Sequence, residues 1–322
     1  MFYSWRMTEK TSEGLTERLI SGDRRALARV ISLIEREDPA AKDIVAAVYP
    51  KTGNAITIGF TGPPGVGKSS IIARLIKLYR EEGKRVAIVS VDPSSPFSRG
   101  AILGDRIRLT DHFLDPGVFI RSMGSRGHLG GLAGGSRLAA LAMEAAGFDV
   151  VLYETVGVGQ GEVEVASAAE TVVLALQPGS GDAVQALKAG VMEIADVFCV
   201  NKADHPQATN QKTQVRQMLE IGHELTPDPW MPPIVLTRGD NGEGVAELKA
   251  EIERHREYLF KSGELENRRR ESLKQFVVGW ATARLQKEMQ DRLEREDEGL
   301  MERVYRREID PIVASERIYH EV

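Results

Sequence analysis

The spacing of apolar positions along the chain changes character twice. Over residues 8–49, Leu15, Leu19, Leu27, Val30, Ile31 and Ile34 recur near helical spacing with charges between them, which predicts helices with one buried face. Asp38-Pro39 marks a stop and restart within that stretch, because proline suits the first turn of a new helix; Pro50 and Gly53 punctuate its end. From about residue 55 the pattern becomes short apolar runs alternating with amphipathic stretches. The runs Ala55–Thr61, Arg85–Val91, Val118–Arg121, Asp149–Glu154, Thr171–Leu176, Val197–Asn201 and Ile234–Thr237 are strand candidates, and being apolar on both faces they suit a buried parallel sheet. Helical patterns at roughly 68–82, 132–146, 183–195, 207–223 and 244–260 separate most of them. That alternation predicts a doubly wound α/β sheet, mostly parallel, with ligands outside the carboxyl ends of the strands. Beyond 260 the strand signal stops. Residues 264–298 are charge-rich, yet Leu273, Phe276, Val277, Trp280 and Ala283 form one helical stripe that the tail cannot bury by itself.

Composition narrows the class. The 322 residues can bury a large core, and 42 basic against 47 acidic residues leave a net charge of −5. That balance argues against nucleic acid or an anionic membrane surface as partner, since both reward a basic excess. No window approaches eighteen uncharged apolar residues, which argues against a transmembrane helix. The start, MFYSWRMTEK, lacks the apolar core of a secretory signal, so a cytoplasmic protein is expected. The single cysteine, Cys199, excludes an internal disulfide framework; within the strand VFCV it reads as a small buried filler. The six histidines, His128 among them, show no ligand spacing, Tyr153 reads as packing, and the run Arg268-Arg269-Arg270 reads as a solvated helix face.

Candidate chemistry begins directly after the first strand, where Gly62-Pro63-Pro64-Gly65-Val66-Gly67-Lys68-Ser69-Ser70 precedes the amphipathic IIARLIKLYR. This is the G-x-x-x-x-G-K-[ST] pattern of a phosphate-binding loop. Its glycines let backbone N–H groups approach a phosphate, and the following helix presents its positive dipole end. Lys68 would reach the outer phosphates and the Ser69 hydroxyl would enter a Mg²⁺ shell. At the end of the strand near 200 stands Asn201-Lys202-Ala203-Asp204, an N-K-x-D. A carboxylate at Asp204 can accept two hydrogen bonds from guanine N1–H and its exocyclic amine, a donor pair adenine lacks, so GTP is favoured over ATP. Asn201 would tie base and phosphate loop together, and the Lys202 stem would cover the base plane. Glu154 closes the strand VVLYE, where it would contact Mg²⁺ through water or orient the attacking water; with Lys68 it is the catalytic candidate.

Together these residues resemble the MeaB/ArgK family of SIMIBI-class GTPases. The resemblance runs over nearly the whole chain, through GDRRALAR, GPPGVGKSS, Val91 to Pro96, GAILGDRIR, Arg121 to Gly127, ETVGVGQ and NKAD. It implies a P-loop NTPase core over 55–262, between a helical N-terminal arm over 1–54 and a helical C-terminal dimerisation extension over 263–322. It further implies a homodimeric GTPase using GTP/GDP and Mg²⁺. Such a protein would chaperone an adenosylcobalamin-dependent acyl-CoA mutase of the methylmalonyl-CoA type, gating cobalamin loading and protecting the mutase from inactivation. An adenosyltransferase is a further implied partner. Asp92 and Asp105 match family carboxylates near Mg²⁺ and the switch regions, a helix cap being the alternative for Asp105. Gly179 to Lys188, with Asp182, Gln185 and Lys188, corresponds to the family's mobile third switch; read on its own it is only a strand-end loop leading into a helix. Two departures stand out. Gly161 replaces a common serine, which would loosen the second switch. Thr237-Arg238-Gly239-Asp240 replaces the usual Ser-Ala pair before a G-x-G, although its backbone could still contact guanine O6. The competing readings are an ATP-dependent kinase of an amino-acid transport system, which N-K-x-D and the missing signal core oppose, and a nickel or cobalt metallochaperone GTPase, which the scarcity of thiol and clustered imidazole opposes.

Overall fold

A computed structural model describes residues 9–92, 112–124, 131–155, 168–179, 191–225, 229–295 and 299–320. Three helices come first, α1 (Glu9–Ile20), α2 (Arg24–Glu35) and α3 (Pro39–Val48). Asp23 and Asp38 cap α2 and α3 by accepting from backbone amides of the first turn, and Pro39 opens α3, so the expected break at Asp38-Pro39 is a cap and not a kink. Then follow β1 (Ile56–Thr61), α4 (Lys68–Glu81), β2 (Val86–Asp92), β3 (Val118–Gly124), α5 (Gly131–Ala145), β4 (Val150–Thr155), β5 (Thr171–Leu176), β6 (Val197–Val200), α6 (Ala208–Leu225), β7 (Ile234–Leu236) and α7 (Val245–Ser262). The chain closes with α8 (Glu264–Arg295), α9 (Leu300–Tyr305) and α10 (Pro311–His320). All seven expected strands are present within a few residues.

They form one seven-stranded sheet in the order β3-β2-β4-β1-β5-β6-β7, and every pairing is parallel. This is the P-loop NTPase fold. Both faces are covered, and alternate residues serve each. Val151 and Tyr153 of β4 join Ala87, Val89 and Val91 of β2 beneath α5 and the N-terminal helices, including Leu19, Leu27, Val30 and Ile31. Val150, Leu152 and Ile88 point the other way, into a core with Ile71, Ile72 and Leu75 of α4 and Leu248 and Ile252 of α7. The α6 helix covers the β5–β7 half of the first face through Val215, against Leu174, Phe198 and Ile234. Helices on both sides leave the sheet's two ends for function, and in an open parallel sheet ligands bind at the carboxyl ends of the strands, where the strand-to-helix loops begin.

The C-terminal segment differs from its expected form in two ways. Arg268 and Arg269 keep about a third of their surface in solvent but turn their guanidinium groups inward. Arg268 grips the buried Asp196 with both terminal nitrogens, at 2.8 and 3.0 Å, and Arg269 pairs with the buried Glu170; only Arg270 keeps to solvent, beside Glu266. The apolar stripe also divides. Phe276 lies under the Arg137 guanidinium, 5.0 Å from ring to cation, and Trp280 packs so tightly on Gly134 of α5 that a Cβ there would sit 2.8 Å from its ring. Trp280 nevertheless stays 40% exposed, as does Leu273, and Val277, Val278 and Leu285 are more exposed still. No helix among the described residues is long and apolar enough to cross a membrane.

Candidate nucleotide site

The loop between β1 and α4 is shaped by glycines that cannot be replaced in place. Gly62 has φ +132° and a Cβ there would lie 2.1 Å from the Ala175 carbonyl oxygen, while Gly67 at φ +98° leaves 2.4 Å to Asn201 Nδ2. Backbone in this region, pressed against a neighbouring strand, admits only glycine without strain. Gly67 also caps α4 without any side-chain hydrogen bond, so the first-turn amides face the loop. Within the loop, the buried Lys68 Nζ donates to the carbonyl oxygens of Gly62 and Pro63 at 2.6 and 2.9 Å.

Next to it, Ser69 Oγ donates to Glu154 Oε1 at 2.5 Å, and Ser90 Oγ reaches Glu154 Oε2 at 3.3 Å. Glu154 is only 6% exposed, and hydroxyls from two other elements satisfy both of its carboxylate oxygens. Sequence reasoning missed Ser90; parallel pairing of β2 with β4, Ser90 opposite Glu154, brings it in. Asp92 ends β2 on the same edge; its side chain lies outside the described part. Asp105, Asp182, Gln185, Lys188, Gly161 and His128 also lie outside it, as does the expected 183–195 helix except for a 3₁₀ turn at Val191–Ile194.

On the other side of the loop, Asn201 joins three segments. Its Nδ2 donates to Val66 O at 2.7 Å, and its Oδ1 accepts from Gly239 N at 3.0 Å and Thr237 Oγ1 at 3.2 Å. Lys202, at φ +59°, is a non-glycine residue in left-handed backbone, and its ammonium reaches Gly65 O and Gln177 Oε1. Left-handed backbone at a lysine costs on the order of 1 kcal/mol and turns the chain sharply after β6. Asp204 is exposed beside Arg238, and Gly239 sits against Ser70 and Ile71 at the root of α4. The edge therefore collects the phosphate loop, the Ser69–Glu154 pair and the N-K-x-D segment at the ends of β1, β4 and β6.

A sequence profile described as "Methylmalonyl Co-A mutase-associated GTPase MeaB" matches residues 27–294. The chain belongs to the MeaB family of GTPases. It is 44% identical over 310 residues to a protein of Pyrococcus abyssi designated a GTPase, covering 96% of both chains. It is 32% identical over 286 residues to the mitochondrial methylmalonic aciduria type A homolog of Caenorhabditis briggsae, covering 84% of this chain and 69% of that one. Among solved structures, that of a LAO/AO transport system kinase superposes with a TM-score of 0.69 at 27% identity, covering 98% of each chain.

In this MeaB-family chain two buried groups bear on the base side. Cys199 fills core space as expected, yet its Sγ is also 3.0 Å from Thr237 Oγ1, and burial pushes the thiol up to about 12, so it stays protonated. Thr237, wholly buried, thereby links Cys199 to Asn201. Tyr153, beside Glu154 in sequence, faces the opposite layer and packs under α5. No cluster of three or more histidine, cysteine or acidic side chains suited to a metal occurs among the described residues. The oxygen donors Ser69 and Glu154 do fit the preference of Mg²⁺, which takes one or two protein ligands and completes its shell with phosphate and water.

Proposed function

We propose that the carboxyl edge of the sheet binds and hydrolyses GTP in order to chaperone an adenosylcobalamin-dependent acyl-CoA mutase of the methylmalonyl-CoA type, gating cobalamin loading and protecting the mutase from inactivation. The observation that carries the hydrolytic part is the convergence of Lys68, Ser69 and Glu154 within one buried cluster at the head of α4. The mutase part rests on the family description and on the methylmalonic aciduria type A relative.

In this reading the backbone N–H groups from Gly65 to Ser70, with the uncapped N-terminus of α4, wrap the phosphates. Lys68 exchanges the Gly62 and Pro63 carbonyls for the outer phosphate oxygens, moving a buried cation onto the charge that develops during transfer. Ser69 and Glu154, with Asp92 and Asp105 as further candidates, would hold Mg²⁺, which supplies charge neutralisation between the outer phosphates. Glu154, approached by the Ser69 and Ser90 hydroxyls, orients the attacking water. Asp204 accepts from guanine, the Lys202 stem covers the base plane, and Asn201 keeps the base side in register with the phosphate loop.

The three-part division at 54 and 262, and homodimerisation through the C-terminal extension, belong to the same proposal. The exposed Val277, Val278 and Leu285 on α8, continued by Tyr305 and Ile312, support it. The residues near 182–188 would couple the nucleotide state to the mutase. Two assays test the reading. Titration of the full chain should bind GTP and GDP and leave ATP unbound at the same concentration. GTP turnover should be slow alone and rise several-fold with a purified acyl-CoA mutase; ATP preference, or turnover indifferent to methylmalonyl-, isobutyryl- and hydroxyisobutyryl-CoA mutases alike, would defeat it.

A further inference from the structure

The loop after β7 offers an incoming base no uncommitted main-chain donor in its first three residues. Thr237 N donates to Val200 O at 2.9 Å, Arg238 N to Glu243 O at 2.8 Å, and Gly239 N to Asn201 Oδ1 at 3.0 Å. What this stretch turns toward the base-reading segment is a side chain. Arg238 Nε lies 3.5 Å from Asp204 Oδ1, its Nη2 donates to Asp240 Oδ2 at 2.9 Å, and its Nη1 stands 3.9 Å from Glu243 Oε2. The guanidinium is thus spread over three carboxylates; Nε is shielded from solvent and makes no hydrogen bond, so it faces Asp204 as an ion pair at 3.5 Å with its N–H uncommitted.

Its backbone is equally fixed. The amide of Arg238 bonds Glu243 O and its carbonyl accepts from Gly242 N at 2.8 Å, closing a turn that holds the residue whatever its side chain. A planar fork anchored in this way at Asp240 holds its uncommitted Nε–H 3.5 Å from one oxygen of Asp204, a short closure away from a hydrogen bond and a geometry for which a flexible ammonium is poorly suited.

We propose that Arg238 is a positioning residue for guanine: it fixes the rotation of the Asp204 carboxylate so that both oxygens can accept from the base at once. The proposal rests on Asp204 as the base reader. Asp204 is 59% exposed, so without a neighbour its carboxylate is free to rotate in solvent, and binding then has to order it. An exposed ion pair adds little to folding stability, so any effect of Arg238 should be read in recognition. Two parallel hydrogen bonds depend on that rotation more steeply than one. Guanine makes two with a carboxylate, and hypoxanthine, lacking the exocyclic amine, makes one.

The test is isothermal titration of the full chain with GDP and with inosine diphosphate. Arg238→Ala should weaken GDP by about three- to ten-fold, the cost of ordering one more side chain, and weaken inosine diphosphate less, so that the ratio between them narrows. Arg238→Lys, which keeps the charge but not the fork, should leave the ratio narrowed. A wild-type ratio in Arg238→Ala, or full recovery of the ratio by lysine, would overturn the proposal. Asp204→Asn separates the two levels of the argument. If it collapses the ratio while Arg238→Ala does not, only the role of Arg238 fails. If it leaves the ratio intact, the assignment of Asp204 fails and this proposal falls with it. Arg238→Ala should melt as the wild type does, since the turn is closed by backbone bonds.

Discussion

Ser69, in the first turn of α4, donates its hydroxyl proton to Glu154 at the end of β4 across 2.5 Å. The two residues are 85 positions apart, and the bond joins the phosphate loop to the strand that leads into the segment beginning at Val156. It places a buried carboxylate beside a hydroxyl that suits Mg²⁺. Glu154→Gln keeps an acceptor for Ser69 and removes the charge. GTP binding should stay within about ten-fold of wild type while single-turnover hydrolysis drops at least about 100-fold. Hydrolysis at the wild-type rate would remove Glu154 from the chemistry.

Lys68→Ala should weaken GTP binding by about 100-fold or more, read by isothermal titration. The substitution removes the ammonium that now donates to the Gly62 and Pro63 carbonyls, and with it a cation within reach of the phosphates. Wild-type affinity in this variant would refute the phosphate-loop assignment.

Arg268→Ala should destabilise the chain by about 1–3 kcal/mol in urea unfolding at pH 7, because the buried Asp196 loses a bidentate partner. Acid titration carries a second signature. Burial pushes the Asp196 carboxyl up, but His255 and Arg268 outweigh it and hold the group below the usual carboxylate range. A depressed carboxylate contributes stability above its unfolded pKa and loses it as pH falls through the folded one. Without Arg268 the folded value rises, so the acid-unfolding midpoint followed by circular dichroism should move to higher pH. A midpoint that stays put would show that His255 and the Val172 amide suffice.

Deleting everything after 262 would also strip Trp280 from Gly134 and Arg268 from Asp196, so it confounds association with folding. Val277→Asp combined with Leu285→Glu alters only exposed positions of α8. Light scattering should give a monomer for this variant and a dimer for the wild type at micromolar concentration, with GTP binding retained by both. A dimeric double variant would take α8 out of the interface.

Strands and the helices that cover them were legible along the chain because a two-sided parallel sheet demands continuous apolar runs, and β4, β5 and β6 are buried at every position. The phosphate loop and N-K-x-D were legible for a related reason: their chemistry is carried by residues close together in sequence, in a pattern of glycines and polar types that apolar core packing does not require.

Other features depended on residues far apart. Ser90 meets Glu154 through the pairing of β2 with β4, and Thr237 meets Asn201 through that of β6 with β7. Arg268 looks like any surface arginine until the start of α8 is laid against the buried end of Asp196. The stripe of Leu273, Phe276, Val277 and Trp280 fixes a helix and its apolar side, but not which neighbours touch it; α5 meets Phe276 and one edge of Trp280, which stays as exposed as Leu273. Periodicity reports that a face must be buried and a local motif reports which atoms it can offer, because both are properties of neighbours along the chain. Which distant charge or ring completes them is set by strand order and helix docking, and those are properties of the folded chain alone.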